Sequence, residues 1–176
     1  MDEKLLGHTY RILEEAETAT FDELRQIIKK EEEYILNSLI PYVTSPLLLQ
    51  VLATDERLSI RMKTVRNDYI SQELLEQMSI TPDQDLLCEI ARSNLASSQT
   101  LLHLSKDHNY VVRTEAVKNP KLPLSRVYEM LDDKHAQVAM SASISLKLRP
   151  DSDYFELPAS YTNYGLKYYA LSILTA

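Results

Sequence analysis

Two glycines in 176 residues leave the chain almost no provision for tight hairpins, glycine-rich phosphate loops or β-bulges. That scarcity favours helices. Tryptophan is absent, which together with the lack of any evident base-stacking pocket sets aside a helical-repeat DNA glycosylase. Cys88 is the single cysteine, so neither an internal disulfide nor an all-cysteine metal site is available, and a lone thiol suits a reducing compartment. Basic charge is in deficit: the formal net charge is -7 and the isoelectric point about 5.1. A surface attracted as a whole to nucleic acid or anionic lipid needs the opposite balance. No apolar run approaches the roughly 18 residues of a membrane span, and Asp2 and Glu3 stand where a secretory leader carries bases. The chain reads as cytoplasmic, without a membrane partner.

What is present is the composition of a folded protein, 44% apolar and 26% charged. The length suits one structural domain. Residues 2–16 place Leu5, Leu6, Ile12 and Leu13 among charges at helical spacing. Thr20 with Glu23 forms a capping-box pattern, and Phe21, Leu24, Ile27, Ile28, Ile35, Leu36 and Leu39 continue one apolar face to Ile40, where Pro41 ends it. Residues 1–43 are therefore expected to form an N-terminal helical hairpin. Residues 1–33 hold ten of the acids against five bases, charge that suits the solvated outer face of a terminal cap.

From residue 44 onward the chain repeats itself. Aligning Arg61, Cys88, Arg113 and Ala139, at spacings of 27, 25 and 26, puts Ile60, Leu87, Val112 and Val138 directly before them. Three residues later come Thr64, Ala91, Ala116 and Ala142, small enough to admit a neighbouring helix. Six residues later come Asn67, Asn94, Asn119 and Ser145, suited to caps and turns. Leu49 with Leu52, Leu75 with Met78, Leu101 with Leu104 and Val127 with Met130 fall in step upstream, each followed by an acid: Asp55, Asp83, Asp107 or Asp133. Each unit reads as a short first helix, a turn at the Asp and a second helix. Such units bury their apolar faces only by stacking. The expected architecture is all-α: a right-handed helical-repeat solenoid over residues 44–148, with the N-terminal hairpin and a tyrosine-rich segment, 149–176, capping its ends.

The run Asn119, Pro120, Lys121, Leu122, Pro123, Leu124, Ser125, Arg126, Val127, followed by Met130, Leu131 and Asp133, resembles the leucine-rich repeat variant family, as does the set Asp107, Val112, Arg113, Ala116 and Asn119. HEAT-like repeats share the Asp with an Arg six residues on. The resemblance covers roughly residues 44–145 and implies a right-handed superhelix of alternating α and 3₁₀ helices serving as a binding scaffold. The iron-sulfur cluster of some members needs a cysteine-rich segment that this chain lacks, so no cofactor is inherited. Cys88 and Ala139 replace the repeat arginine.

Candidate chemistry is sparse. Asp55 with Arg61 and Asp107 with Arg113 read as a structural ladder, each carboxylate at a helix N-terminus facing an arginine of the adjoining unit. His8, His103, His108 and His135 show no i, i+4 pairing, so no metal site is expected. Cys88 beside Leu87 reads as a buried, inert thiol, and no catalytic motif is present. Arg57, Lys63, Arg66, Arg92 and Lys118 recur near the second helices and define a basic stripe able to receive an acidic protein segment or a phosphate backbone, with ordinary solvated charge as the competing reading. The function expected is a non-catalytic protein-binding adaptor or regulator, with a nucleic-acid binder as the alternative.

Overall fold

The computed structural model describes residues 3–149, with side chains from Leu6 onward. Among these residues the fold is all-helical, with eleven α-helices, two 3₁₀ turns and no strand. The chain divides into two compact units, Met1–Ile80 and Thr81–Ala176.

The first unit opens with α1 (Glu3–Glu15) and α2 (Phe21–Lys30). Thr20 caps α2 as its sequence promised: the threonine hydroxyl accepts from the Glu23 amide at 3.4 Å, and the Glu23 carboxylate accepts from the Thr20 amide at 2.8 Å. The expected single helix to Ile40 is broken. Glu31 and Glu32 are extended, and α3 (Glu33–Leu39) starts anew before a 3₁₀ turn, Ile40–Tyr42, that contains Pro41. Apolar spacing cannot reveal this break, because Leu24, Ile28, Ile35 and Leu39 stay in helical phase across it. Charge explains it. Lys29 and Lys30 fall in the last turn of α2 and Glu33 in the first turn of α3, so both helix dipoles are complemented.

The first unit continues with the pair α4 (Pro46–Ala53) and α5 (Leu58–Val65) and with α6 (Gln72–Met78); the second holds α7 (Gln84–Arg92), the pair α8 (Ser98–Leu104) and α9 (Tyr110–Lys118), and the pair α10 (Leu124–Glu129) and α11 (Ala136–Lys147). Asp55, Asp107 and Asp133 lie between the two helices of a pair, and Asp83 is the N-cap of α7. Among the described residues 3₁₀ structure is confined to residues 40–42 and Met130–Asp132 and the other helices are α, so strict alternation of α and 3₁₀ helices is not what this backbone adopts. Ser45, Ser71 and Ser97, spaced 26 residues apart, are the N-caps of α4, α6 and α8, and each hydroxyl accepts an amide three residues on. Pro123 takes the same register position before α10, where a missing N–H is harmless.

The repeat columns form the core. Ile60, Leu87, Val112 and Val138 are buried, as are Thr64, Ala91, Ala116 and Ala142 and all eight apolar positions of the first helices. In the first unit Ile12, Leu24, Ile28, Leu36, Leu39, Leu48, Leu49 and Leu52 share one cluster. In the second, Ala96, Leu101, Leu122, Val127, Met130, Val138 and Ala142 do so, with α9 packed on both α7 and α11. The small residues at Ala91, Ala116 and Ala142 permit this close helix approach. The Tyr-rich C-terminal cap expected over 149–176 lies, from residue 150, outside the described residues.

Candidate functional site

The Asp to Arg pattern holds the turns within pairs by a geometry different from a simple carboxylate ladder. Asp55, Asp107 and Asp133 each accept the amide two residues on, at 2.7 to 2.9 Å, closing an Asx turn ahead of the second helix. Arg61 Nη1 donates to the Asp55 and Glu56 carbonyls at 2.7 and 3.0 Å. Arg113 Nη1 repeats this on Asp107 and His108 at 2.9 and 3.0 Å. The arginine six residues after the Asp therefore serves the backbone of that turn. Arg113 also makes a buried two-pronged pair with Asp133 of the following turn, Nε and Nη2 donating at 2.8 and 2.7 Å. Burial pushes the Asp133 carboxyl up, but the Arg113 guanidinium and the His135 amide outweigh it and hold the pKa below the usual value.

Two buried asparagines supply the longest-range polar ties. Asn67 Nδ2 donates to the Ile40 and Val43 carbonyls, and its Oδ1 accepts the Tyr69 amide. Asn119 Nδ2 donates to the Ala91 and Ser93 carbonyls, at 2.8 and 3.0 Å, and its Oδ1 accepts the Lys121 amide at 3.0 Å. Both reach back more than twenty residues to the end of an earlier helix. Asn94, in the same sequence column, is exposed. Spacing identified the column as cap or turn residues; which members are buried depends on packing it does not encode.

Of the predicted basic stripe, Arg57, Lys63 and Arg66 belong to the first unit and Arg92 and Lys118 to the second. Arg57 precedes α5. Its Nε and Nη2 donate to the two Asp55 carboxylate oxygens at 2.7 and 2.8 Å, while Nη1 and Nη2 reach the Glu31 and Ile28 carbonyls at 2.8 and 3.2 Å and close the C-terminus of α2. Lys63 is half-buried in the last turn of α5, and Arg66 is exposed at its end. The structure brings Arg92 and Lys118 together on one carboxylate: Arg92 Nε and Lys118 Nζ donate to Glu115 at 2.9 and 2.8 Å, with Glu89 3.7 Å from Arg92. Burial raises the Glu115 pKa and these two cations lower it further than that, so it stays ionised. Two cations thus lie against two acidic side chains.

Sequence reading missed Arg126, whose guanidinium donates to the Ser105 hydroxyl and carbonyl beyond α8 at 2.9 Å each, and Arg149, which donates to the Asn119 and Leu122 carbonyls. Arginine is the recurrent device for helix ends here, its planar fork reaching two acceptors at once. It also missed the exposed tyrosines. Tyr34, Tyr42 and Tyr69 of the first unit are each more than half exposed, and the Asn67 bonds place Tyr42 and Tyr69 on either side of one junction.

The remaining groups offer little chemistry. His8 meets Glu31 at 2.7 Å, and His135 stacks on Tyr110 with ring centroids 3.6 Å apart. Among the described residues no three His, Cys, Asp or Glu side chains converge as a metal site. Cys88 is buried, and burial raises its thiol pKa. A cleft of about 220 Å³ in the first unit is lined by Arg25, Lys29, Asp55, Glu56 and Arg57, a mixture of signs that favours no strongly charged ligand. No helix among the described residues is long and apolar enough to cross a membrane. No family model, curated protein or solved structure matches the chain.

Proposed function

We propose that the chain is a non-catalytic binding scaffold of stacked helix pairs that engages a protein partner. The observation that carries this reading is the division of labour among side chains. Arg57 and Arg113 are engaged in holding turns and helix ends, and Arg92 and Lys118 are matched by Glu89 and Glu115. Large side chains left in solvent in the first unit include the aromatic Tyr34, Tyr42 and Tyr69. Tyrosine offers a rigid apolar body and a polar tip at small entropic cost, which is why it is enriched at protein interfaces. The short paired helices suit the HEAT-like or leucine-rich repeat variant likeness of the sequence, and a right-handed superhelix with capped ends belongs to the same proposal, as does a cytoplasmic location.

The alternative, nucleic-acid binding through Lys63, Arg66, Arg92 and Lys118, rests on their recurrence in the sequence. The pairing of Arg92 and Lys118 with Glu115 counts against it, because phosphate binding draws on uncompensated cations. The deciding experiment uses the full chain as bait in lysate of the source cell, with and without nuclease. Three baits are compared: the parent, Tyr34→Ala/Tyr42→Ala/Tyr69→Ala, and Arg66→Glu/Arg92→Glu/Lys118→Glu. A nuclease-resistant protein lost with the tyrosines and kept with the reversed charges supports the reading. Nuclease-sensitive recovery abolished by charge reversal overturns it in favour of nucleic acid.

A further inference from the structure

Helix α1 ends on charge of the wrong sign. Its sequence closes with Glu14 and Glu15 and its last turn holds no base, although the negative end of a helix dipole disfavours carboxylates. Arg11 stands 3.7 Å from Glu15, but both side chains are well exposed and such a pair contributes little. The next helix begins with two more acids, Asp22 and Glu23. Between these helix ends lies an open groove of about 630 Å³, bordered by Glu15, Asp22 and Glu23, with no basic side chain in its lining. Ala19 and Ile27 give it an apolar floor, packed from behind on the core of the first unit. The opposite flank of α2 is different. There Arg25 and Lys29 face Asp55 and Glu56, with Lys29 3.8 Å from Glu56, so the bases of α2 find acids within the chain while the acids of the groove have only Arg11. Glu23 is also held in place: one of its oxygens accepts from the Thr20 amide and hydroxyl at 2.8 Å each, and these bonds keep its pKa below the ordinary value.

We infer that this groove docks a basic amphipathic helix of a protein partner, which lays an aliphatic side chain on Ala19 and Ile27 and sets lysines or arginines against Glu15, Asp22 and Glu23. The inference rests on the reading that the chain binds a protein, and it adds the chemistry of the bound segment at a surface separate from the tyrosines. Charge complementarity selects the occupant. A phosphate backbone or an anionic lipid surface would add to the repulsion among the acids, whereas an ammonium or guanidinium beside Glu15 stands where the dipole of α1 favours a cation. The apolar floor asks for more than a bare polycation, and a helix that presents an apolar strip flanked by bases supplies both parts. A carboxylate already fixed by the capping box loses little freedom on binding, which lowers the cost of association.

The test titrates the full chain into a fluorescein-labelled peptide of about fourteen residues, leucine along one helical face and lysine along the rest. Fluorescence anisotropy is expected to give a Kd below about 100 μM, and at least about tenfold weaker binding when glutamate replaces every lysine of the peptide. Asp22→Lys/Gln26→Lys changes two exposed positions of α2 beside the groove and is expected to weaken binding at least about tenfold. Glu73→Lys/Gln77→Lys makes the same change of charge at the same positions of α6, also exposed, and is expected to stay within about twofold of the parent. Equal losses in the two variants would mean attraction to the net charge alone and would overturn the inference, as would a parent that does not bind. A benzophenone on the leucine face of the peptide gives a readout that needs no variant: adducts are expected within residues 15–27, and adducts confined to other segments overturn the assignment. Tyr34→Ala/Tyr42→Ala/Tyr69→Ala is expected to keep the peptide. If that chain loses it and Asp22→Lys/Gln26→Lys does not, the site belongs to the tyrosines and the groove is refuted while the protein-binding reading stands.

Discussion

Replacing Asn119 by alanine is the sharpest test of how the helix pairs are tied together. The side chain is buried and makes three hydrogen bonds, two to the Ala91 and Ser93 carbonyls that end α7 and one from the Lys121 amide. Alanine removes all three and leaves their partners in place. A hydrogen bond contributes about 1 kcal/mol net, and a buried group left unmatched costs about 1 to 3 kcal/mol. Water entering the vacated space recovers part of that, so Asn119→Ala is expected to cost about 2 to 4 kcal/mol. For a chain of this size each kcal/mol lowers Tm by about 2 to 4 °C, which gives a drop of roughly 5 to 15 °C. The control is Asn94→Ala, at the same column of the neighbouring repeat but exposed, which is expected to stay within about 0.5 kcal/mol of the parent. Urea unfolding followed by circular dichroism measures both, provided the slopes agree. A loss below about 1 kcal/mol for Asn119→Ala, or equal losses for the two variants, would refute the claim that burial of the repeat asparagine matters.

Arg113→Ala strands the Asp133 carboxylate and is expected to cost about 3 to 5 kcal/mol, with Arg113→Lys recovering only part because an ammonium cannot span two carbonyls and a carboxylate; thermal melts of both variants check this. The Asp133 pKa is depressed in the folded chain, so its contribution is present above the unfolded value near 3.8 and is lost as pH falls through the lower folded value. Stability of the parent should therefore decline more steeply than that of Arg113→Ala on titration from pH 5 towards pH 2, and parallel curves would contradict the pairing. Leu101→Ala empties a fully buried site in the second core and is expected to cost about 2 to 5 kcal/mol in urea unfolding. Cys88, buried and with its pKa raised first by desolvation, should react with a thiol-specific disulfide reagent at least about tenfold more slowly in the native chain than in urea, and comparable rates would place the thiol at the surface.

The parts of the fold that could be read in the residues are those governed by short-range periodicity. Leu101 and Leu104, Val112 and Ala116, and their counterparts repeat in type as well as spacing, and every one is buried. The Thr20 and Glu23 box is complete within four residues, so its geometry follows from its letters. The break at Glu31 was hidden because the apolar phase runs through it and only the charge pairs on either side record it. Arginine roles were hidden for a different reason. Arg57 and Arg61 differ by four positions and both follow Asp55, yet one binds its carboxylate and the other its carbonyl. A flexible side chain of that length chooses among acceptors that only the folded backbone brings near. The Ser45, Ser71, Ser97 and Pro123 register, at a constant 26 residues, was present in the sequence and marks the first helices more regularly than the Arg61 column marks the second.

The interruptions of that second column show how little of the polar pattern is free to do anything else. Arg61 and Arg113 each close the turn that precedes them, but Cys88 and Ala139 have no donor to offer. At Ala139 the loss is met from the previous pair, since Arg113 extends its remaining nitrogens to Asp133 and so stabilises two turns with one guanidinium. Where the column holds arginine it holds the preceding turn, so the arginine is there for the scaffold. The same reasoning applies to the basic residues at the helix ends. Where a cation recurs because a carbonyl or carboxylate recurs beside it, as at Arg57 and Arg92, periodicity in charge reports scaffold maintenance. Recognition by such a scaffold has to draw on side chains the scaffold does not consume, and Tyr34, Tyr42 and Tyr69 are among the large ones that stand in solvent without a place in the core.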